Sequence, residues 1–219
     1  AASWGVASLP EQPGRDADAI VAALVAGEVR GLVVGGVDPA DTTDPAATRA
    51  ALEAASFVVA LDLRETEVTR VADVVFPVAA AVEKAGTFIS WEGRARPFEA
   101  VLPSPSALPD LRVLAGISEE LAAAGHGAPL GFRSVEQVRA EMADLGAWDG
   151  ARPAMQAVGG GSGHPGEGLA LSTWKQLIDD GVMQAGDKHL AATARPAVAR
   201  LSPATYAAAS LSGEHVTVV

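Results

Sequence analysis

Cysteine is absent from all 219 residues. Disulfides, thiolate-held iron–sulfur clusters and a cysteine nucleophile are therefore excluded within this stretch. Asparagine is absent too, so there is no N-glycosylation sequon. Both absences fit a cytosolic origin. Aromatics are scarce, at 5%, and much of the 49% apolar content is alanine, so the core is less bulky than that figure implies. Cations are outnumbered: 16 Lys and Arg against 27 Asp and Glu give a net charge of −11. Such a surface repels phosphate and disfavours nucleic acid as a partner. The longest apolar runs, 31–37 and 56–63, are far shorter than the roughly 20 residues that span a bilayer, so no direct membrane insertion is expected. No basic start, apolar run and small-residue cleavage site mark a signal peptide. The chain does not begin with Met, so Ala1 reads as a cut end.

What is present is an alternation of elements. Residues 16–26 read as a helix with Ile20, Ala23, Leu24 and Ala26 near one face and Gly27 as its left-handed stop. The run 31–34 into Gly35-Gly36 reads as a buried parallel strand entering a turn. Asp44-Pro45 reads as an N-cap with proline in the first turn of a helix to about Ala54. Residues 57–61 form a second buried strand and 73–77 a short third, with a loop between them. Helix, strand, helix, strand, loop, strand is the order of a small, mostly parallel α/β sheet flanked by helices. Residues 86–101 read as an irregular hairpin turning at Glu92-Gly93, with Pro97 confining the return strand to an edge. Pro109 opens a helix carrying Val113, Ile117 and Leu121 and ending at Gly125. Ser134 and Gln137 form a capping box ahead of Val135, Val138, Met142 and Leu145.

Seven of the ten residues 159–168 are glycine or proline, which reads as a linker. Beyond it, Thr173 is expected to cap a short helix with Trp174, Leu177 and Ile178 that stops at Gly181, and Ser202-Pro203 to start another. The β-branched run 215–219 has no partner strand after it, so the chain is expected to end on the first strand of a further unit. The division expected is an α/β domain over 1–127, a helical extension over 128–150, a flexible linker over 151–168 and, over 169–219, the truncated start of a barrel-type domain.

Candidate chemistry is thin. Gly161-Ser162-Gly163-His164-Pro165-Gly166 matches G-x-G-x-x-G but follows a loop and contains proline, so it reads as linker rather than as a dinucleotide fingerprint. His126, His164, His189 and His215 share no i, i+4 spacing, so no metal site and no catalytic residue is expected. Glu65-Thr66-Glu67 reads as a solvated loop. Glu83-Lys84 and Glu92, Arg94 and Arg96 read as an ion-pair cluster that fixes the hairpin.

Four stretches carry a resemblance. Residues 31–39 end in Gly36-Val37-Asp38-Pro39, similar to G-x-[ND]-P. The stretch 57–66 resembles V-V-x-D-x-x-x-T through Asp62 and Thr66. Residues 72–77 resemble A-D-V-V-L-P. Glu83-Lys84-Ala85-Gly86-Thr87-Phe88 with Glu92-Gly93-Arg94 resembles E-K-x-G-T-F-x-N-x-E-G-R, with Ser90 where the family has Asn and Trp91 where it has Thr. Together and in this order they resemble the molybdopterin oxidoreductase superfamily. The stretches 190–196, 201–205 and 213–218 resemble the G-subunit family of actinobacterial NADH–quinone oxidoreductase (complex I) as it approaches its final β-barrel domain.

The resemblance implies a structural part of that quinone-reducing, proton-translocating complex, with other hydrophilic-arm subunits as partners, peripheral on the cytoplasmic face of the plasma membrane. It implies that 4Fe-4S and 2Fe-2S clusters lie elsewhere in the parent subunit and that no cofactor sits here. In molybdenum enzymes of the superfamily the residues matching Asp62 and Thr66 help bind the guanine dinucleotide of the pterin cofactor; here they are vestigial candidates. The alternative implied is a cofactor-binding domain of a molybdopterin-dependent oxidoreductase such as a formate dehydrogenase.

Overall fold

The computed structural model describes residues 1–102, 107–150, 172–174, 176–178, 181 and 184–212. The chain divides into two compact units, Ala1–Arg152 and Pro153–Val219.

The first unit is built on three parallel strands in the order β1 (Gly31–Gly35), β2 (Phe57–Asp62) and β3 (Val74–Pro77). Val33 pairs with Val59, which pairs with Val74. α1 (Ala17–Val25) precedes the sheet, with the Asp16 carboxylate accepting the Ala19 amide at 2.9 Å. Gly27, at φ +74°, lets the chain leave the helix in the left-handed region. α2 (Pro45–Ala54) connects β1 to β2. Asp44 caps it, and Thr48, Ala51 and Leu52 form its buried stripe at i, i+3 and i+4. α1 packs against α2.

Between β2 and β3 the sequence suggests only a loop, but the chain forms a one-turn helix there, α3 (Glu67–Val71). Its capping is reciprocal. The Thr66 hydroxyl accepts the Thr69 amide, and the Thr69 hydroxyl accepts the Thr66 amide at 2.7 Å. A five-residue helix leaves too little periodicity to be read along the sequence, and it holds because Val68, 2% exposed, enters the core.

β1, expected as a buried strand, is a half-exposed edge strand with Val33 55% exposed, because no described core residue packs on its second face. Both faces of the sheet carry packing at β2. On one, Val58 and Ala60 meet Leu52 of α2 and Val68 of α3, with Leu32 and Val34 alongside. On the other, Leu61 meets Val78 and Val113, with Val59, Phe76 and Ile117 alongside. Val113 and Ile117 lie on α4 (Asp110–Ala123). Asp73 closes the entry to β3: its carboxylate accepts the Val58 amide at 2.7 Å and its amide donates to the Val58 carbonyl at 2.9 Å.

The hairpin consists of β4 (Gly86–Ile89) and β5 (Ala95–Phe98), antiparallel, with Phe88 opposite Arg96. α5 (Val135–Leu145) carries the expected Ser134–Gln137 capping box. Its apolar stripe is not buried: Met142 is 64% and Leu145 57% exposed. Periodicity specifies a stripe but not what the stripe meets.

In the second unit, two short helices are described, α6 (Lys188–Ala191) and α7 (Pro203–Ala208), the latter capped by Ser202 as expected. The expected helix from Thr173 does not form in residues 172–174 and 176–178. Trp174 is 63% and Leu177 95% exposed, so little packing offsets the cost of nucleating so short a helix. The glycine pattern over 161–166, His164 and the run 215–219 lie outside the described residues. No strand occurs among the described residues of this unit.

Candidate functional site

In a parallel sheet all carboxyl ends lie along one edge, and α/β proteins place their ligands there. Here that edge carries the turn after β1, the turn from β2 into α3, and the end of β3 at Pro77. A cleft of about 320 Å3 opens on it, lined by Asp62, Leu63, Arg64, Glu65, Thr69, Val75 and Pro77.

The turn after β1 is consumed by its own hydrogen bonding. Gly36 takes φ +62° and donates to the Leu61 carbonyl at 3.2 Å. The Asp38 carboxylate accepts the Ala40 amide at 2.9 Å, opening a 3-10 turn, Pro39–Asp41. Pro39 is among the most deeply buried side chains. The Thr42 hydroxyl donates to the Pro39 carbonyl at 2.7 Å and lies 2.8 Å from the hydroxyl of the buried Thr48. The G-x-D-P stretch therefore works as a turn lock.

The structure brings Asp62 and Thr66 together. Both are half-buried. Asp62 Oδ1 accepts the Leu63 amide at 2.7 Å and Oδ2 accepts the Thr66 hydroxyl at 3.2 Å. The Thr66 hydroxyl spends its one proton on Asp62 while accepting the Thr69 amide. Thr69, which sequence reasoning did not single out, completes the site. The signal for it was the hydroxyl three residues after another hydroxyl, a variant of the capping box in which threonine replaces Glu or Gln.

Two ion pairs flank these residues. Arg49 of α2 reaches Glu67 through Nε at 2.6 Å and Nη2 at 3.4 Å. The hydrogen bond and charge of Glu67 raise the Arg49 pKa, and the hydrogen bond from Arg49 holds the Glu67 carboxyl below its usual range. Arg70 Nε pairs with Glu65 at 2.8 Å. Chemically, the edge offers residual carboxylate lone pairs on Asp62 as acceptors.

The expected hairpin cluster is divided. Lys84 pairs with Asp110 at the start of α4, Glu83 accepts the Ala80 amide at 3.0 Å, and Arg94 pairs with Glu92 at 2.8 Å. Sequence proximity grouped charges that the fold sends to different elements. Among the described residues no three His, Asp or Glu side chains converge as a metal site, and no helix is long and apolar enough to cross a membrane.

The family model of molybdopterin oxidoreductases matches residues 1–120. The G subunit of the NADH-quinone oxidoreductase of Mycobacterium bovis is 46% identical over 99% of this chain and 27% of its own length. That of Streptomyces coelicolor is 44% identical over 100% of this chain and 26% of its own length. Formate dehydrogenase H of Escherichia coli is 29% identical over 66% of this chain and 20% of its own length. The chain thus spans little more than a quarter of the length of the two G-subunit relatives.

Proposed function

The chain belongs to the molybdopterin oxidoreductase family, and from that premise we propose that it is a piece of the G subunit of a respiratory NADH–quinone oxidoreductase. In this reading it is scaffold in the hydrophilic arm. Electrons pass through 4Fe-4S and 2Fe-2S clusters held outside these residues. Its partners are other hydrophilic-arm subunits of a proton-translocating complex, and its place is peripheral, on the cytoplasmic face of the plasma membrane.

The observation that carries this reading is the reach of the similarity. Identity of 44–46% with two G subunits runs through both units of the chain, whereas the family model ends at residue 120. The second reading, a cofactor-binding domain of a molybdopterin-dependent oxidoreductase such as a formate dehydrogenase, draws on the 29% identity over 66% of the chain and leaves the rest without a counterpart.

The pterin guanine dinucleotide that the family implies is a poor fit to the edge described above. A guanine offers N–H donors, which Asp62 could accept, but the Thr66 hydroxyl proton is already given to Asp62. A diphosphate needs cations or a row of free amides. The loop presents Asp62, Glu65 and Glu67 beside Arg64, and Arg49 and Arg70 are already paired to Glu67 and Glu65.

The test is purification of the chain in its natural parent protein from membranes through an affinity tag. Co-purification with NADH-oxidising, quinone-reducing activity and iron, without molybdenum, is expected. Stoichiometric molybdenum with formate-oxidising activity would replace the scaffold reading with the second one.

A further inference from the structure

The β4–β5 hairpin projects with both of its faces bare. Every residue from Thr87 to Pro97 except Ser90 is exposed. Phe88 is 63%, Ile89 64% and Trp91, in the turn, 95% exposed. The register sets Gly86, Phe88, Arg96 and Phe98 on one face and Thr87, Ile89, Ala95 and Pro97 on the other. Apolar side chains therefore occupy one face, the other face and the tip. A patch that rests on a flat partner needs one apolar face; an arm apolar on both sides and at its end is shaped for a cleft.

The arm is held in position before it is covered. Arg139 Nη2 of α5 donates to the Gly86 carbonyl at 2.8 Å and to the Thr87 hydroxyl at 3.1 Å. Phe88 and Phe98 stack with ring centroids 4.8 Å apart. Pro97 has no N–H to give, which keeps the outer edge of β5 from recruiting a further strand. Its charge runs against the chain's: two arginines and one glutamate lie between Thr87 and Pro97, in a chain of −11. Arg94 is paired with Glu92, while the Arg96 guanidinium has no ion pair among the described residues.

We propose that this hairpin is an insertion arm that docks into an apolar cleft with a carboxylate at its rim, formed by the part of the same polypeptide that lies outside these 219 residues. The proposal rests on the G-subunit reading, because the relatives there are nearly four times as long as the stretch they share with this chain. A tethered cleft meets the arm at high effective concentration. It also supplies the burial that a two-stranded hairpin lacks on its own.

Hydroxyl-radical footprinting with mass-spectrometric readout at Trp91 tests it on three samples: this 219-residue chain, the parent-length subunit purified alone, and the assembled oxidoreductase. Oxidation of Trp91 is expected at close to the rate of the urea-unfolded chain in the first sample. It is expected to be about tenfold slower already in the second, as for a segment that must open locally to react. Arg96→Glu in the parent-length subunit is expected to restore most of the reactivity; unchanged protection would overturn the carboxylate at the rim. Protection only in the assembled complex would overturn the proposal in favour of a partner subunit's cleft, and rapid oxidation in all three samples would overturn docking altogether. Failure of the parent protein to assemble with NADH-oxidising subunits would count against the G-subunit reading and is observed separately from Trp91 reactivity.

Discussion

The Thr66 hydroxyl donates to the Asp62 carboxylate across 3.2 Å, so the two side chains picked out as candidates for a ligand are each other's partners. The same hydroxyl caps α3 by accepting the Thr69 amide. One four-residue turn thus ends β2, starts α3 and engages the Thr66 hydroxyl proton.

Two outcomes follow for that pair. Thr66→Ala removes an N-cap and is expected to destabilise the first unit by about 1 kcal/mol, read from denaturant unfolding. Calorimetry with a guanine dinucleotide is expected to give no binding at millimolar ligand, a free energy weaker than about −4 kcal/mol. Micromolar affinity abolished by Asp62→Ala would show a working nucleotide site instead.

Gly86 is the floor under an aromatic ring. A Cβ built there would lie 2.6 Å from Phe98 Cζ and 2.9 Å from Cε1, and the ring is stacked on Phe88. Gly86→Ala is therefore expected to displace Phe98 and cost on the order of the 0.5–1.5 kcal/mol typical of an aromatic pair. Loss of the ring-current shifts between Phe88 and Phe98 in NMR spectra is the direct readout; unaltered shifts would mean the ring does not sit over Gly86.

Core and stripe separate on substitution. Leu52 is 6% exposed and lies against Val58 and Val68, so Leu52→Ala is expected to cost about 2–5 kcal/mol. Leu145, at 57% exposure on α5, should change stability by less than about 0.5 kcal/mol when replaced by alanine. Similar losses at both positions in chemical denaturation of this chain would place a second core against α5.

The Arg49–Glu67 pair predicts a sign in acid. Glu67 has its folded pKa lowered by Arg49. The folded form therefore holds fewer protons than the unfolded one between the two pKa values. The pair's contribution is full above the ordinary carboxylate value of about 4.3 and is lost as pH falls through the lower, folded value. Carbon-detected NMR titration should find the Glu67 carboxyl titrating below that value, and moving up toward it in Arg49→Met. A midpoint insensitive to Arg49→Met would mean that the ion pair is not populated in solution.

Much of the architecture was legible because each element carried its own local signal. β2 is an apolar run of the length of a buried parallel strand; β1 reads the same way and is a strand, but as the sheet's edge it leaves Val33 exposed. Asp16, Asp44, Ser134 and Ser202 stand where caps are needed, each accepting a backbone amide. α3 was not legible, because its capping partner is Thr69 rather than a glutamate and its anchor is a single buried valine. The helix expected from Thr173 is missing from residues 172–174 and 176–178 for the converse reason: its apolar spacing was present, but Trp174 and Leu177 stay mostly exposed. Asp62 and Thr66 could be picked out by resemblance, but their mutual hydrogen bond depends on how the turn closes.

By itself the sequence determined the strands and the well-capped helices of the first unit, the negative charge of the chain and the absence of thiolate chemistry, because these depend on residue types and on neighbours a few positions away. Only the tertiary structure decided which apolar surfaces are covered. It set Leu52 and Val113 on opposite faces of one sheet, turned Lys84 to Asp110 rather than into the hairpin, and left Phe88, Ile89 and Trp91 bare. Burial is a property of what comes to lie opposite a side chain, and pairs such as Gly86 and Arg139, 53 residues apart, meet only when the whole unit has closed.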